Sequence, residues 1–480
     1  MTDRDYGAAS PPSPPSISSR PRKAVYEGHA TVTSSIINLT NTAVGAGALA
    51  FPSAFASMGL IPGILSCAGS GITAMFGLYC LSRCAAVVGT RPGDEGRKSS
   101  FNEVARLTFG KGWATKIFDL AIAIKCFGVS VSYLIICKTL LPQVCFTLAK
   151  VFHHPLPDDS ILLASHFWLV VWMVVVIPLS FLKTLDALRF TSQIALLTVV
   201  YLVLVVVGWF IIKGVSPNHG EVVLGRFGKN TLSSFPVQVF AYTCSQNLFP
   251  IYNELKGKSQ KKMNTVIVAS MGSAAAVYEV IGIIGYLTFG SKVGSNVIAM
   301  YPPTSIIIAI GRLGIVLLVG LSYPLQLLPC RQSLHHLTHG LFHHHTSVSN
   351  QNGNPLQENS ESDEDDDDES EINPLVPKAD DHGHVHKNEM SKIEFIVITT
   401  VILIAGFLIA YNVHELEIVL GFVGSTGSTI ITFILPGFFY FRLFREENGV
   451  TKWWALALGI YGFAVMIFCL TFNILNLIQK

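Results

Sequence analysis

Two short stretches place polar side chains where an apolar run would otherwise continue. The first reads Asn38-Leu-Thr-Asn-Thr-Ala-Val-Gly-Ala-Gly-Ala-Leu-Ala-Phe-Pro52, and the second Phe240-Ala-Tyr-Thr-Cys-Ser-Gln-Asn-Leu-Phe-Pro250. In the first, Gly45 and Gly47 weaken a helix and Pro52 lacks a backbone donor, while Thr40, Asn41 and Thr42 add side-chain oxygens. In the second, Thr243, Ser245, Gln246 and Asn247 precede Pro250. A helix broken at such a place exposes N–H groups at the start of its second half and carbonyls at the end of its first. The N–H end suits a carboxylate and the carbonyl end an ammonium. Glu279, in Val-Tyr-Glu-Val-Ile-Gly, adds a carboxyl group inside another apolar run. Ionised and unpaired there it would cost a few kcal/mol, so it must be protonated, paired or functional. Proton exchange is the functional reading; a pair with Lys125 is the structural one.

The elements that must carry these residues are membrane spans. Half of the 480 residues are apolar and 13% are charged. The mean hydropathy is +0.49, and the hydrophobicity comes in long blocks separated by short polar segments, the pattern of spans in a bilayer. Stretches of about 20 residues, the length that crosses a ~30 Å core, fall at 32–56, 60–88, 117–142, 161–182, 190–213, 233–254, 264–289, 304–329, 393–411, 414–441 and 453–476. These eleven put the two termini on opposite sides. With a cytosolic N-terminus, most Lys and Arg fall on the cytosolic side, Lys256, Lys258, Lys261 and Lys262 among them, as the positive-inside rule requires. The C-terminus is then lumenal.

The remaining composition excludes several classes. A net charge of +2 gives no footprint for nucleic acid. The nine cysteines form no Cys-x-x-Cys pair and no disulfide framework. The sequon Asn38-Leu39-Thr40 lies inside a span, where it stays unglycosylated. Residues 1–30 are rich in Pro and Ser and read as a disordered cytosolic tail, not a cleaved leader. The chain then divides into spans one to eight at 31–332, an acidic and His-rich disordered cytosolic loop at 333–391, and spans nine to eleven at 392–480. Within that loop, Glu361–Glu371 is almost wholly acidic, and Ser362 and Ser370 offer sites suited to an acidophilic kinase. The flanking histidines, from His335 to His345 and His382 to His386, could hold Zn²⁺ or Cu²⁺ only weakly on a flexible segment.

Small residues and Gly-x-Gly also serve helix packing, so either interruption alone is ambiguous. Together they are informative: they lie five spans apart, and each is followed by Phe-Pro. Paired breaks at corresponding positions of two halves point to an inverted-repeat transporter with its site at the midplane. The segment from Ser35 to Leu49, with Phe240–Leu255, Gly285-Tyr-Leu-Thr-Phe-Gly290 and Leu321-Ser-Tyr-Pro-Leu-Gln-Leu-Leu-Pro-Cys-Arg331, resembles the amino acid/auxin permease family. The resemblance covers roughly 30–345 and 390–476 and is closest to the fungal vacuolar amino acid transporters, with the sodium-coupled neutral amino acid transporters as further relatives.

That resemblance implies an all-α polytopic protein of eleven spans, with a LeuT-like five-plus-five inverted repeat and discontinuous helices in spans one and six. It implies amino acid transport driven by a proton or sodium gradient across the vacuolar or another endomembrane, with no cofactor. Substrate contacts are expected from Thr42, Gly45, Ala46 and Gly47 in span one and from Tyr242, Thr243, Cys244 and Ser245 in span six. Asn38, Asn41 and Ser322 match a cation site, and Glu279 is the candidate proton carrier. Where the fungal branch usually has His in Thr-Cys-His-Gln-Asn, this chain has Ser245, which removes a His-linked proton step at that position. Two alternatives stand beside this reading: an amino acid sensor that does not transport, and a metal-ion transporter prompted by the histidines. No Walker-type phosphate loop and no nucleophile–base constellation is present, so an ATP-driven pump or an enzyme is not expected.

Overall fold

A computed structural model describes residues 28–88, 98–110, 112–154, 157, 159–181, 191–226, 229–346 and 390–479. In chain order its helices are α1 (Val32–Ala43), α2 (Phe51–Met58), α3 (Leu60–Val87), α4 (Phe101–Phe109), α5 (Trp113–Val151), α6 (Ser165–Ser180), α7 (Thr191–Lys213) and α8 (Lys229–Ala241). They continue as α9 (Leu248–Glu254), α10 (Gln260–Phe289), α11 (Val297–Met300), α12 (Ile306–Thr346), α13 (Lys392–Asn412), α14 (Leu416–Val423), α15 (Leu435–Leu443) and α16 (Thr451–Gln479). Among the described residues, eight helical stretches are long and apolar enough to cross a membrane: α3, α5, α7, α10, α12, α13, the continuous α14–α15 stretch and α16. Helix α6 and the Gly47–Met58 stretch are apolar but shorter. The protein is an all-helical, multi-pass membrane protein.

Local chemistry sets the helix ends. Thr31 caps α1 through a bond from the Ser34 N–H, and Ser100 and Ser259 cap α4 and α10 in the same way. Ser391 and Glu394 form a capping box that starts α13. Pro52 sits in the first turn of α2, where a missing N–H costs nothing, so it begins a helix rather than interrupting one. Two boundaries differ from the sequence reading. Helix α12 runs on through Thr346, so His335, His336, His339 and His343–His345 belong to a helix and not to a loop beginning at 333. The N-terminal segment is tied down by Gly28–Ala30: Ala30 pairs in parallel with Leu255, its N–H donating to the Glu254 carbonyl while its own carbonyl accepts from Lys256. The acidic run at 361–371, with Ser362, Ser370 and His382–His386, lies outside the described residues, as does the tail before residue 28.

Helices α5 and α12 form the most extensive pair, and α10 packs on α1, α2 and α3. The fully buried large side chains Phe51, Phe55, Tyr242 and Tyr278 lie where these elements meet. The outward faces of α7, α13 and α16 expose Leu197, Leu204, Ile211, Val401, Ile404 and Ile467, a hydrocarbon surface fit for lipid. Helix α4 is held under the bundle by Asn253, which accepts from the Ser99 N–H at 3.0 Å and donates to the Ser99 carbonyl at 2.8 Å. Phe101 stacks on Phe118 and meets Phe249 edge-on.

Glycines permit the closest crossings. A Cβ at Gly424 would overlap the Pro236 carbonyl oxygen of α8. Gly424→Ala should therefore lower stability by about 1–3 kcal/mol, the usual cost of overpacking. Gly272→Ala, where a Cβ meets no atom within 4 Å, should be neutral or slightly stabilising. Thermal denaturation of the two detergent-purified variants compares them directly; equal midpoints would contradict the α8 contact.

Candidate functional site

Helix α1 ends at Ala43. Val44 (φ −82°, ψ 100°) and Gly45 (φ −145°, ψ −142°) then leave the helical region, and a 3-10 turn over Ala46–Ala50 leads into α2. Helix α8 ends at Ala241, and a 3-10 turn over Ser245–Asn247 leads into α9. These two interruptions meet. The Tyr278 hydroxyl of α10 lies 2.6 Å from the Ala43 carbonyl and 2.9 Å from the Ala241 carbonyl, the last residues of α1 and α8. Asn247 Nδ2 donates to Thr42 Oγ1 at 2.8 Å, and Thr42 donates in turn to the Asn38 carbonyl at 2.9 Å. Phe51 stacks on Tyr278 with ring centres 4.4 Å apart, and Tyr242 meets both rings edge-on.

The two glycines of the first interruption have different jobs. A Cβ on Gly45 meets nothing within 4 Å; Gly45 lines a crevice with Ala48, Leu49, Thr198, Ile315 and Val319. A Cβ on Gly47 would stand 2.7 Å from the Ala241 Cβ, so Gly47 lets the turn after α1 touch the end of α8. Ala46 lies between them in the turn. Of the span-six residues, Tyr242, Thr243, Cys244 and Ser245 are all buried. The Tyr242 hydroxyl is engaged with Cys67 at 3.3 Å and the Thr243 hydroxyl with the Val239 carbonyl at 2.7 Å. Ser245 Oγ is buried and has no hydrogen-bond partner.

Asn38 is exposed, while Asn41 and Ser322 are half-buried. Ser322 follows Val319, a crevice residue, by three positions on α12. Glu279 directly follows Tyr278; its Oε2 is buried without a partner, and its carboxyl faces the Cys67 thiol. The chain Glu279–Cys67–Tyr242 thus joins this carboxyl to the second interruption. No ion pair joins Glu279 to Lys125 among the described residues. Lys125 is buried on α5 beside Cys244, and no bond from its ammonium is found among them.

One element beside the interruptions escaped the sequence reading. Between α14 and α15 the helix widens into π turns over Gly424–Ser428 and Ile430–Ile434, a device common at functional sites. Ser425, Ser428, Thr429 and Thr432 are buried there, and Thr432 Oγ1 donates to Thr243 Oγ1 at 3.2 Å. Gly427 lies against Ala121 and Lys125. The signal was Gly-Ser-Thr-Gly-Ser-Thr at 424–429, a run of small polar residues in an apolar span. Ser428 Oγ, Gln246 Oε1, Ser245 Oγ and Glu279 Oε2 are all buried and unpartnered among the described residues. Buried polar groups are ordinarily satisfied, and these four lie on the elements around the breaks.

The comparisons agree with this architecture. Residues 28–479 match the family described as transmembrane amino acid transporter protein. Vacuolar amino acid transporter 5 of Schizosaccharomyces pombe is 37% identical, over 94% of this chain and 96% of its own. Vacuolar amino acid transporter 6 of Saccharomyces cerevisiae is 35% identical, over 92% and 98%. Sodium-coupled neutral amino acid symporter 2 of Danio rerio is 24% identical, over 92% and 81%. Among solved structures, MhsT in complex with L-phenylalanine superposes with a TM-score of 0.52 at 13% identity, covering 93% of this chain and 99% of that one.

Tyr278→Phe should destabilise the protein by about 1–3 kcal/mol, because it deprives two helix-end carbonyls of their shared donor. Gly47→Ala should also destabilise it, by a similar amount, through the Ala241 contact. Gly45→Ala should leave the melting midpoint unchanged and weaken ligand binding instead. Thermal denaturation with and without amino acid separates the three; a Gly45→Ala variant with unaltered binding would remove Gly45 from the site.

Proposed function

The chain belongs to the transmembrane amino acid transporter family, and from that premise we propose that it is a secondary active transporter carrying amino acids across the vacuolar membrane on an ion gradient. The observation that carries this reading is the meeting of two interrupted helices at Tyr278. Eleven spans follow if the eight long helices are joined by α6 and by the two interrupted pairs, α1 with α2 and α8 with α9. Span one then enters its repeat as span six enters the other, and the shared break lies near the bilayer midplane. The N–H groups beginning with Ala46 receive the substrate carboxylate, and the carbonyls ending α1 and α8 receive its ammonium. The names of the fungal relatives support both the substrate class and the vacuolar membrane.

Coupling is assigned to Glu279. Its carboxyl lies one residue from the tyrosine that ties the two breaks, which gives protonation a route to the site. Asn38, Asn41 and Ser322 form the alternative, a sodium site beside the crevice at Gly45. The exposure of Asn38 and Asn247 supports a vestibule open to water from the cytosolic half, since amides facing lipid would be costly. The positive-inside distribution supports an N-terminus in the cytosol and a C-terminus in the lumen. Ser362 and Ser370 are then within reach of a cytosolic kinase.

Flux of radiolabelled amino acids into proteoliposomes with imposed proton or sodium gradients tests this function. Accumulation under a proton gradient is expected. Glu279→Gln should abolish that accumulation and leave exchange of internal for external amino acid largely intact. Saturable binding without flux under either gradient would assign the chain to sensing. The topology has its own check: protease added to sealed, cytosol-side-out vesicles should cut between 347 and 389 and spare a tag after Lys480.

A further inference from the structure

A second site lies away from the interruptions, around Arg331 in the second half of α12, toward the side assigned to the cytosol. Arg331 is 6% exposed. Its Nη1 lies 3.2 Å from Thr399 Oγ1 and 3.4 Å from the Ser180 carbonyl, and its guanidinium carbon sits 4.0 Å over the Phe395 ring. No carboxylate pairs with it, and Nε and Nη2 have no recorded acceptor, among the described residues. A guanidinium is always charged and presents five N–H donors in a fork that matches phosphate. Buried with only two long neutral bonds and a ring face, it lacks the anion that such a group requires. Glu394, the carboxylate on the neighbouring turn of α13, is engaged with the Ser391 N–H and lies 3.7 Å from His335 Nδ1.

Below Arg331 runs an apolar groove between α6 and α13. Met173, Ile177 and Phe181 line it from one helix, and Leu403, Ile404 and Phe407 from the other. Its upper end is Phe181 and Thr400; Arg331 does not line it but lies beside it, bonded to their chain neighbours Ser180 and Thr399. Ile177 and Ile404 are 41% and 55% exposed, so the groove opens sideways toward lipid. The depth is right for a headgroup. At 1.5 Å per residue Arg331 lies about 38 Å along α12 from Ile306, beyond a ~30 Å hydrocarbon core.

We propose that this groove seats an acyl chain of an anionic phospholipid whose phosphate is bound by the Arg331 guanidinium. A cationic pocket between spans at the cytosolic face is the usual form of such recognition. Charge complementarity selects the occupant. The groove alone would accept any acyl chain, but the unpaired guanidinium at its mouth favours a headgroup with net negative charge over a zwitterion. Lys392, exposed at the start of α13, adds positive charge at the same edge. The proposal does not depend on what the protein transports.

The test uses the full chain purified in neutral detergent, with dioleoyl phosphatidic acid, dioleoyl phosphatidylcholine or glycerol 3-phosphate added. Native mass spectrometry reads lipid retention, and thermal denaturation reads stabilisation. Phosphatidic acid should be retained about tenfold more than phosphatidylcholine, the scale of one charge-assisted hydrogen-bonded contact, and should raise the melting midpoint. Glycerol 3-phosphate, which has the phosphate but no acyl chain, should do neither. Arg331→Gln should erase the preference for phosphatidic acid. Ile404→Trp, on the exposed wall of the groove, should lower retention while leaving Arg331 in place, and it decides the matter if Arg331→Gln does not fold. Equal retention of the two lipids by the unaltered protein would overturn the proposal, as would stabilisation by glycerol 3-phosphate or undiminished retention of phosphatidic acid in Ile404→Trp.

Discussion

Tyr278 carries one hydroxyl proton and faces two carbonyls that no helix can satisfy. Much of the architecture follows from that constraint. A helix that ends inside a packed apolar bundle leaves its terminal carbonyls without partners where little water reaches, and each unsatisfied group there costs several kcal/mol. Placing both helix ends around one buried phenol gives the terminal carbonyls of α1 and α8 a shared donor. The phenol can serve only one carbonyl fully at a time. The other is left with acceptor capacity, which is the property an ammonium group or a cation needs. Phe51 and Tyr242 pack around the ring and hold it in place, and Gly47 is small because α8 must come within contact of the turn.

The same requirement explains the unusual density of small polar residues on the neighbouring helices. Ser270 donates to the Ile36 carbonyl and Ser273 lies 3.4 Å from Thr40, fastening α1 to α10. Ser70 reaches Gln238, and Cys67 meets Tyr242, fastening α3 to α8. The π turns between α14 and α15 complete the enclosure from the far side through Thr432 and Thr243. These contacts are individually modest in a membrane, but they converge on two short unwound segments that have little regular hydrogen bonding of their own.

The breaks were legible because they combine residues that a span ordinarily excludes: Gly45, Gly47 and Pro52 in one, Ser245, Gln246, Asn247 and Pro250 in the other. The long apolar helices were legible from hydropathy alone. What the sequence hid was pairing across helices. Nothing in the order of residues reveals that Tyr278, within a span notable for its glutamate, caps two distant helix ends. Lys125 and Glu279 invite pairing as opposite charges in one membrane, yet the first faces Cys244 and the second Cys67. The π turns were missed because Gly-Ser-Thr repeats read equally well as ordinary packing residues. The boundary at 333 was drawn where apolar residues thin out, whereas α12 persists through Thr346.

The pairing of Ala30 with Leu255 has a mechanical meaning. Helices α1 and α9 are fastened to each other at both ends, by that backbone bridge on the outside and by Asn247 and Thr42 on the inside. Two rods pinned at both ends make a linkage with no independent swing. A displacement of the N-terminal segment is therefore transmitted to α9 and, through Asn253, to the α4 strut beneath it. Any movement of one must carry the three together, or begin by releasing either the two backbone bonds at Ala30 or the single Asn247–Thr42 bond.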